Sequence, residues 1–164
     1  MSTFVIKPAL FDDLEQLNDL MFELHDEHHI QSPELFKTAE EIEQEKSIAR
    51  YLDNPECLVY VARVEGEIEG EIVGFVSGHF CELISTVSKP VMMGSVDELY
   101  VLPEYRKQGT AKALIEKIEA TFVDYGVKQM FVEVWDFNQT AISLYENQGF
   151  GHHIHWLRKS LSER

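Results

Sequence analysis

The residues best placed to do chemistry form one short run, Arg106-Lys107-Gln108-Gly109-Thr110-Ala111. Before it stands Asp97-Glu98-Leu99-Tyr100-Val101-Leu102, whose apolar Leu99 and Val101 suit a buried β-strand. Pro103 cannot donate to a ladder and closes that strand. After the run, Ala113, Leu114, Ile115, Ile118 and Phe122 recur at helical spacing. A strand, a glycine turn and a helix start make either an ordinary connection with a solvated basic turn or an anion site. Gly109 lets a backbone come close to a ligand, because no side chain stands in the way. The free N–H groups and the dipole of the new helix, over residues 107–112 including Lys112, then favour negative charge. Arg106 and Lys107 border the site. The run lacks the Gly-Lys-Ser/Thr ending of a Walker loop, and it is not GxGxxG.

Other clusters carry less. His25, His28 and His29, with Asp26 and Glu27, have no spacing that fixes a metal geometry. Histidines at a helix C-terminus are favoured by the dipole in any case, so they read as a polar rim. His153 and His155 read as polar residues on a strand face. Cys57 and Cys81 show no metal spacing and are expected as reduced thiols. The expectation is therefore no metal.

The elements around the turn make one domain over residues 1–164 with a sizeable core, since 45% of the residues are hydrophobic. Expected strands cover Phe4–Ile6, Leu58–Ala62, Ile72–Gly78, Val91–Leu102, Gln129–Trp135 and His152–Leu157. Glu65–Gly70 reads as a hairpin turn. Expected helices begin at Asp12 or Asp13 and run to about residue 28, and from Thr38, with a capping box to Glu41, to about Leu52. Further helices follow Gly109 and Asp136 or Asn138. The pattern is mixed α/β.

Charge is uneven. Residues 11–56 hold 14 Asp or Glu against 3 Lys or Arg, so this stretch carries −11 of the total −15. Nucleic acid is disfavoured as a partner, because phosphate binding wants Lys and Arg clusters. A cationic partner suits such a field, and the acidic segment 26–40 is the place for an acceptor-side wall. There is no apolar run long enough to span a membrane and no signal-peptide pattern at the N-terminus, so a cytoplasmic location and no membrane partner are expected.

Arg106-x-x-Gly109-x-Ala111, preceded by Leu99-Tyr100-Val101-Leu102-Pro103, resembles the acyl-CoA signature of the GCN5-related N-acetyltransferase (GNAT) family. Asn138 and Tyr145, seven residues apart in NQTAISLYENQGF, resemble that family's second segment, closed by Gly149-Phe150. The resemblance covers residues 57–158 well and the first 56 in outline. Alanine at 111 departs from the usual second glycine, and it fits the first turn of a helix. The resemblance implies a central mixed, mostly antiparallel sheet, splayed in the middle, with helices on both faces. It implies acetyl-CoA as cosubstrate, its pyrophosphate on the 107–112 amides and its pantetheine arm along Leu99, Tyr100 and Val101. An N–H there, Val101's for choice, polarises the acetyl carbonyl. Asn138 hydrogen-bonds the cofactor arm.

Acetyl transfer to an amine then needs proton movement. Tyr145 is the expected general acid, because a phenol with a pKa near 10 can return a proton to a thiolate. Glu98 is the expected base, if a partly apolar cleft raises its pKa; a structural or substrate-holding carboxylate is an equal reading. Strand alternation predicts that at most one of Asp97 and Glu98 points into the cleft. The expected acceptor is a small cationic amine, of aminoglycoside or polyamine type. A protein N-terminus or lysine is the alternative, and a non-catalytic acyl-CoA-binding module is a second. A homodimer is compatible with the sequence.

Overall fold

A computed structural model describes residues 4–66 and 70–162; Glu67, Ile68 and Glu69 of the expected hairpin turn lie outside the described residues. The chain forms two compact units, Met1–Glu133 and Val134–Arg164.

The first unit is built on a five-stranded sheet in the order β1-β2-β3-β4-β5. The strands are β1 (Phe4–Pro8), β2 (Cys57–Val64), β3 (Ile72–Leu83), β4 (Val91–Val101) and β5 (Gln129–Val132). The first three pairings are antiparallel, and β5 lies parallel to β4. That parallel pairing requires a crossover, and α4 (Thr110–Asp124) supplies it. Helices α1 (Leu14–Gln31), α2 (Ala39–Glu45) and α3 (Ala49–Asp53) precede β2.

Both sheet faces are covered. On one face, Leu17, Leu20 and Met21 of α1 and the fully buried Ile48 pack with Val61, Phe75 and Tyr100. On the other, Leu114, Ile118 and Phe122 of α4 pack with Val73, Val76, Val96 and Val101. The apolar period of α4 accounts for this, since one stripe of the helix is buried along its length. Among the described residues no helix is long and apolar enough to cross a membrane.

Four details differ from the sequence expectation. The second helix is broken into α2 and α3. Lys46 takes extended backbone (φ −135°, ψ 135°), Ser47 Oγ accepts from Ala49 N at 3.1 Å, and Ile48 drops into the core. A hydroxyl competing for a main-chain N–H restarts the helix. Strand β3 runs on to Leu83 because β4 pairs with it from Gly74 to Leu83. The strand expected over Gln129–Trp135 stops at Val132.

The strand expected over His152–Leu157 does not form. Residues 151–161 have no regular structure and are exposed. Period-two alternation supplies a strand face but not a ladder partner, and a strand needs both. Within this second unit, α5 (Gln139–Asn147) is capped by Asn138, whose Oδ1 accepts from Ala141 N at 3.2 Å.

At Gly94 the ring of Phe122 on α4 lies directly against the sheet. A Cβ placed there would stand 2.6 Å from Phe122 Cγ. Gly94→Val should therefore lower stability by about 1–3 kcal/mol through overpacking. The check is the urea midpoint at unchanged slope; a wild-type midpoint would show that the ring gives way freely.

Candidate functional site

The site begins with a register shift. Pairs from Gly74↔Val101 to Ser77↔Glu98 hold one register, and pairs from Gly78↔Val96 to Leu83↔Val91 hold another. Asp97 is the extra residue, a β-bulge. Below it, Ser95 lies on the α1–α3 face and Val96 on the α4 face. Above it, Glu98 and Tyr100 lie on the α1–α3 face and Leu99 and Val101 on the α4 face. Asp97 and Glu98 therefore face the same side, and the expectation that alternation would separate them is corrected. Alternation holds only while every residue is paired.

Each carboxylate is held by its own partners. Asp97 Oδ2 accepts from Tyr51 of α3 at 2.7 Å and pairs with His79 Nδ1 at 2.6 Å, while Oδ1 accepts from Ser95 Oγ at 2.7 Å. Glu98 is 7% exposed. Its Oε1 accepts from Ser77 Oγ at 2.6 Å, its Oε2 pairs with the ammonium of Lys46, and its own N–H donates to Ser77 Oγ at 3.0 Å. Burial and the hydrogen bond to Asp97 push the Tyr51 phenol far up from its ordinary range.

The upper half of β4 has a main-chain edge that no strand pairs with among the described residues. Leu102 N donates to Val73 O on β3 at 2.8 Å. Alternation then turns the N–H and C=O of Val101 and Leu99 to the opposite edge. Strand β5 pairs only with Met93–Val96, so among the described residues no strand covers that edge. This is the splay expected of the sheet.

The turn after β4 has two left-handed residues, Lys107 (φ 63°) and Gly109 (φ 83°). Gly109 is the N-cap of α4 and offers no side-chain cap. The first intrahelical bond runs from Ala113 N to Gly109 O at 3.0 Å. The amides of Thr110, Ala111 and Lys112 precede it and have no partner within the helix. The side chains of the turn are occupied elsewhere: Thr110 Oγ1 donates to Tyr105 O at 3.3 Å, and Gln108 Nε2 to Glu104 O at 3.2 Å. Lys112 Nζ lies 3.8 Å from Glu116.

Arg106 turns away from these amides. Its Nε donates to Val101 O at 2.8 Å, its Nη2 reaches Glu27 Oε2 of α1 at 3.0 Å, and its guanidinium lies over the Tyr100 ring. The Tyr100 hydroxyl donates to Glu27 and, at 3.3 Å, to Glu23. Burial and these carboxylates push the Tyr100 phenol well up.

The sequence reading did not single out Lys46, Ser77, Tyr51, His79 or Ser95. Lys46 was the one visible signal, as one of three cations in the acidic stretch 11–56. The expected rim of histidines is mixed. His28 stacks on Phe36 and His29 Nδ1 pairs with Phe36 O at 2.9 Å. His25 points its Nε2 into the interior, where among the described residues that atom has no hydrogen-bond partner.

Asn138 and Tyr145 belong to the second unit. The Asn138 side-chain oxygen serves the α5 cap. Tyr145 is buried, with Phe150 edge-on to its ring at 5.5 Å. Burial pushes its phenol up to about 12.

The sequence model of the acetyltransferase (GNAT) family matches residues 18–150. Among solved structures, an acetyltransferase from Vibrio fischeri is 56% identical, over 80% of this chain and 96% of its own, with a TM-score of 0.63. A tetramutant of the BH1408 protein from Bacillus halodurans is 17% identical, over 96% of this chain and 99% of its own, with a TM-score of 0.82. The aminoglycoside N-acetyltransferase AAC(6')-Iy, solved with the bisubstrate analogue CoA-S-monomethyl-acetylneamine, is 19% identical over 97% of this chain and 99% of its own, with a TM-score of 0.68. The last two show the fold.

The Tyr145 environment sets a pH dependence. Its folded pKa lies above the ordinary value of about 10, so burial favours the neutral form. The stability tied to that phenol is full below about pH 10 and is lost as pH rises through about 12. A phenolate absorbance titration of wild type against Tyr145→Phe should lose one phenol with a midpoint near 12. A lost phenol titrating near 10 would contradict this.

Proposed function

Because the chain belongs to the acetyltransferase (GNAT) family, we propose that it transfers the acetyl group of acetyl-CoA to a primary amine on a small cationic molecule. One observation carries the donor side: the open first-turn amides of α4 lie directly after the open main-chain edge of β4. The amides of Thr110, Ala111 and Lys112, with the left-handed Lys107 and Gly109, suit a pyrophosphate. The main chain of Leu99 to Val101 suits an extended arm that adds as a strand. The Val101 N–H points to the same edge and is the donor we assign to the thioester carbonyl, where negative charge develops during attack.

The acceptor side rests on carboxylates. Glu98 is buried on the α1–α3 face, held by the Ser77 hydroxyl and the Lys46 ammonium, and Glu23 and Glu27 flank Tyr100 at the end of α1. An ammonium fits there better than a neutral or anionic group. The amine must lose a proton before it attacks, and Glu98 is the group assigned to accept it, directly or through water. The thiolate that leaves takes a proton from Tyr145, whose raised pKa keeps it protonated at any working pH. The AAC(6')-Iy structure with an acetylneamine analogue supports an aminoglycoside-like amine as the first acceptor class to try.

Two variants test this. Gly109→Asp places bulk and negative charge at a position with φ 83° and open space around it. Calorimetric titration should show coenzyme A binding abolished in a variant that stays folded. Unchanged affinity would move the cofactor elsewhere. Tyr145→Phe removes only the hydroxyl, and general acid catalysis is typically worth about 10²–10⁴-fold. With the thiol-release rate limited by chemistry, kcat should fall toward that range while coenzyme A affinity holds. A near-wild-type kcat would leave water as the proton donor.

A further inference from the structure

We infer that Lys46 is a built-in stand-in for the acceptor, its ammonium holding on Glu98 the seat that the acceptor ammonium takes when it binds. The inference rests on the reading of Glu98 as the acceptor-facing carboxylate.

Three observations carry it. First, the two partners differ sharply in exposure: the Lys46 side chain is 44% exposed and the Glu98 side chain 6%. A buried carboxylate is being neutralised by a cation that comes in from solvent. Second, Lys46 is placed for this by a local break. It follows the last residue of α2 in extended backbone, and the chain re-enters a helix only at Ala49. A lysine on a flexible four-carbon stem, outside any helix, can leave and return without unfolding an element. Third, the neighbourhood is polar but incomplete. A small cavity lined by Asn18, His25, Ile42, Glu43 and Lys46, among others, adjoins the Lys46 side of the pair. The buried His25 Nε2 there has no partner among the described residues. An arriving amine with a second polar group could satisfy what Lys46 leaves open.

The pair is also asymmetric in what its loss does. Removing the lysine leaves a buried, uncompensated carboxylate, which is costly until another cation arrives. The site then prefers an external ammonium more strongly than it does in the wild type. Lys46 thus sets an affinity threshold: a weakly bound amine does not displace it, and a polycation held also by Glu23 or Glu27 does. A merely structural ion pair predicts the opposite, since its loss would loosen the α2–β4 contact and weaken everything built on it.

The test is the binding of n-propylammonium, spermidine and neamine by titration calorimetry, with coenzyme A present, to wild type, Lys46→Gln, Lys46→Arg and Glu98→Gln. Lys46→Gln should bind at least one probe about tenfold tighter than wild type, a change of about 1.4 kcal/mol. Lys46→Arg should bind it more weakly than wild type, because a guanidinium grips a carboxylate in two places. Equal or weaker binding by a Lys46→Gln protein with the wild-type melting temperature overturns the inference, as does binding of no probe by any form. If Lys46→Gln does not fold, the Lys46→Arg arm decides: weaker binding supports the inference, and unchanged or tighter binding overturns it. The Glu98→Gln arm separates the two levels. Loss of wild-type binding there keeps Glu98 on the acceptor side even if the Lys46 order fails. Binding unaffected by Glu98→Gln removes that reading, and the inference with it.

Discussion

One residue too many in β4 governs the site. Strand β3 offers no partner for Asp97, and the bulge that absorbs it rotates everything above by half a pleat. An unbulged strand would place Glu98 on the α4 side, against Leu114 and Ile118, where a carboxylate has no hydrogen-bond partners. With the bulge, Glu98 meets Ser77 and Lys46, and Tyr100 meets Glu23 and Glu27. The same half-pleat puts Leu99 and Val101 into the core beneath α4, while their main-chain groups face the uncovered edge. Carboxylates on one face and free main-chain donors on the edge thus share a cause. Bulges recur where a side chain must be re-aimed, and here two are re-aimed at once.

The bulge persists because its carboxylates are well satisfied. Asp97 has three side-chain partners from α3, β3 and β4. A half-satisfied buried carboxylate would favour repairing the register; a satisfied one makes the shifted register the stable one. The Tyr51–Asp97 bond also fixes α3 over β4, so the broken helix and the bulged strand support each other. The Ser47 hydroxyl accepts from Ala49 N at the start of α3, and Ile48 anchors it in the core.

What the sequence made legible was local. A glycine at a helix start, a proline closing a strand and an apolar stripe on α4 each specify their element within a few residues, and all three formed where expected. The Thr38–Glu41 capping box formed too. What was not legible depended on partners distant in sequence. A bulge is a relation between two strands, invisible in either one alone. The Glu27 partner of Arg106 is 79 residues away, and the Lys46 partner of Glu98 is 52 residues away. His152–Leu157 carried strand-like alternation, but whether a strand forms is decided by who pairs with it.

Arg106 shows how such a distant partner changes a chemical reading. Beside a glycine turn it looks like a ligand for phosphate. Folded, it closes a circuit: its Nε takes the carbonyl of Val101, its Nη2 takes Glu27, and its plane covers Tyr100. The guanidinium thereby neutralises the carboxylate that crowds the Tyr100 hydroxyl and pins the end of α1 to the end of β4. Under the proposed function, the attraction for an anion at the turn then falls to main-chain amides, which are fixed by the fold and need no reorganisation. A side-chain cation would have to be recruited from solvent at an entropic cost. The amides of α4 are already aimed, so the arginine is free to hold the end of α1 against the end of β4.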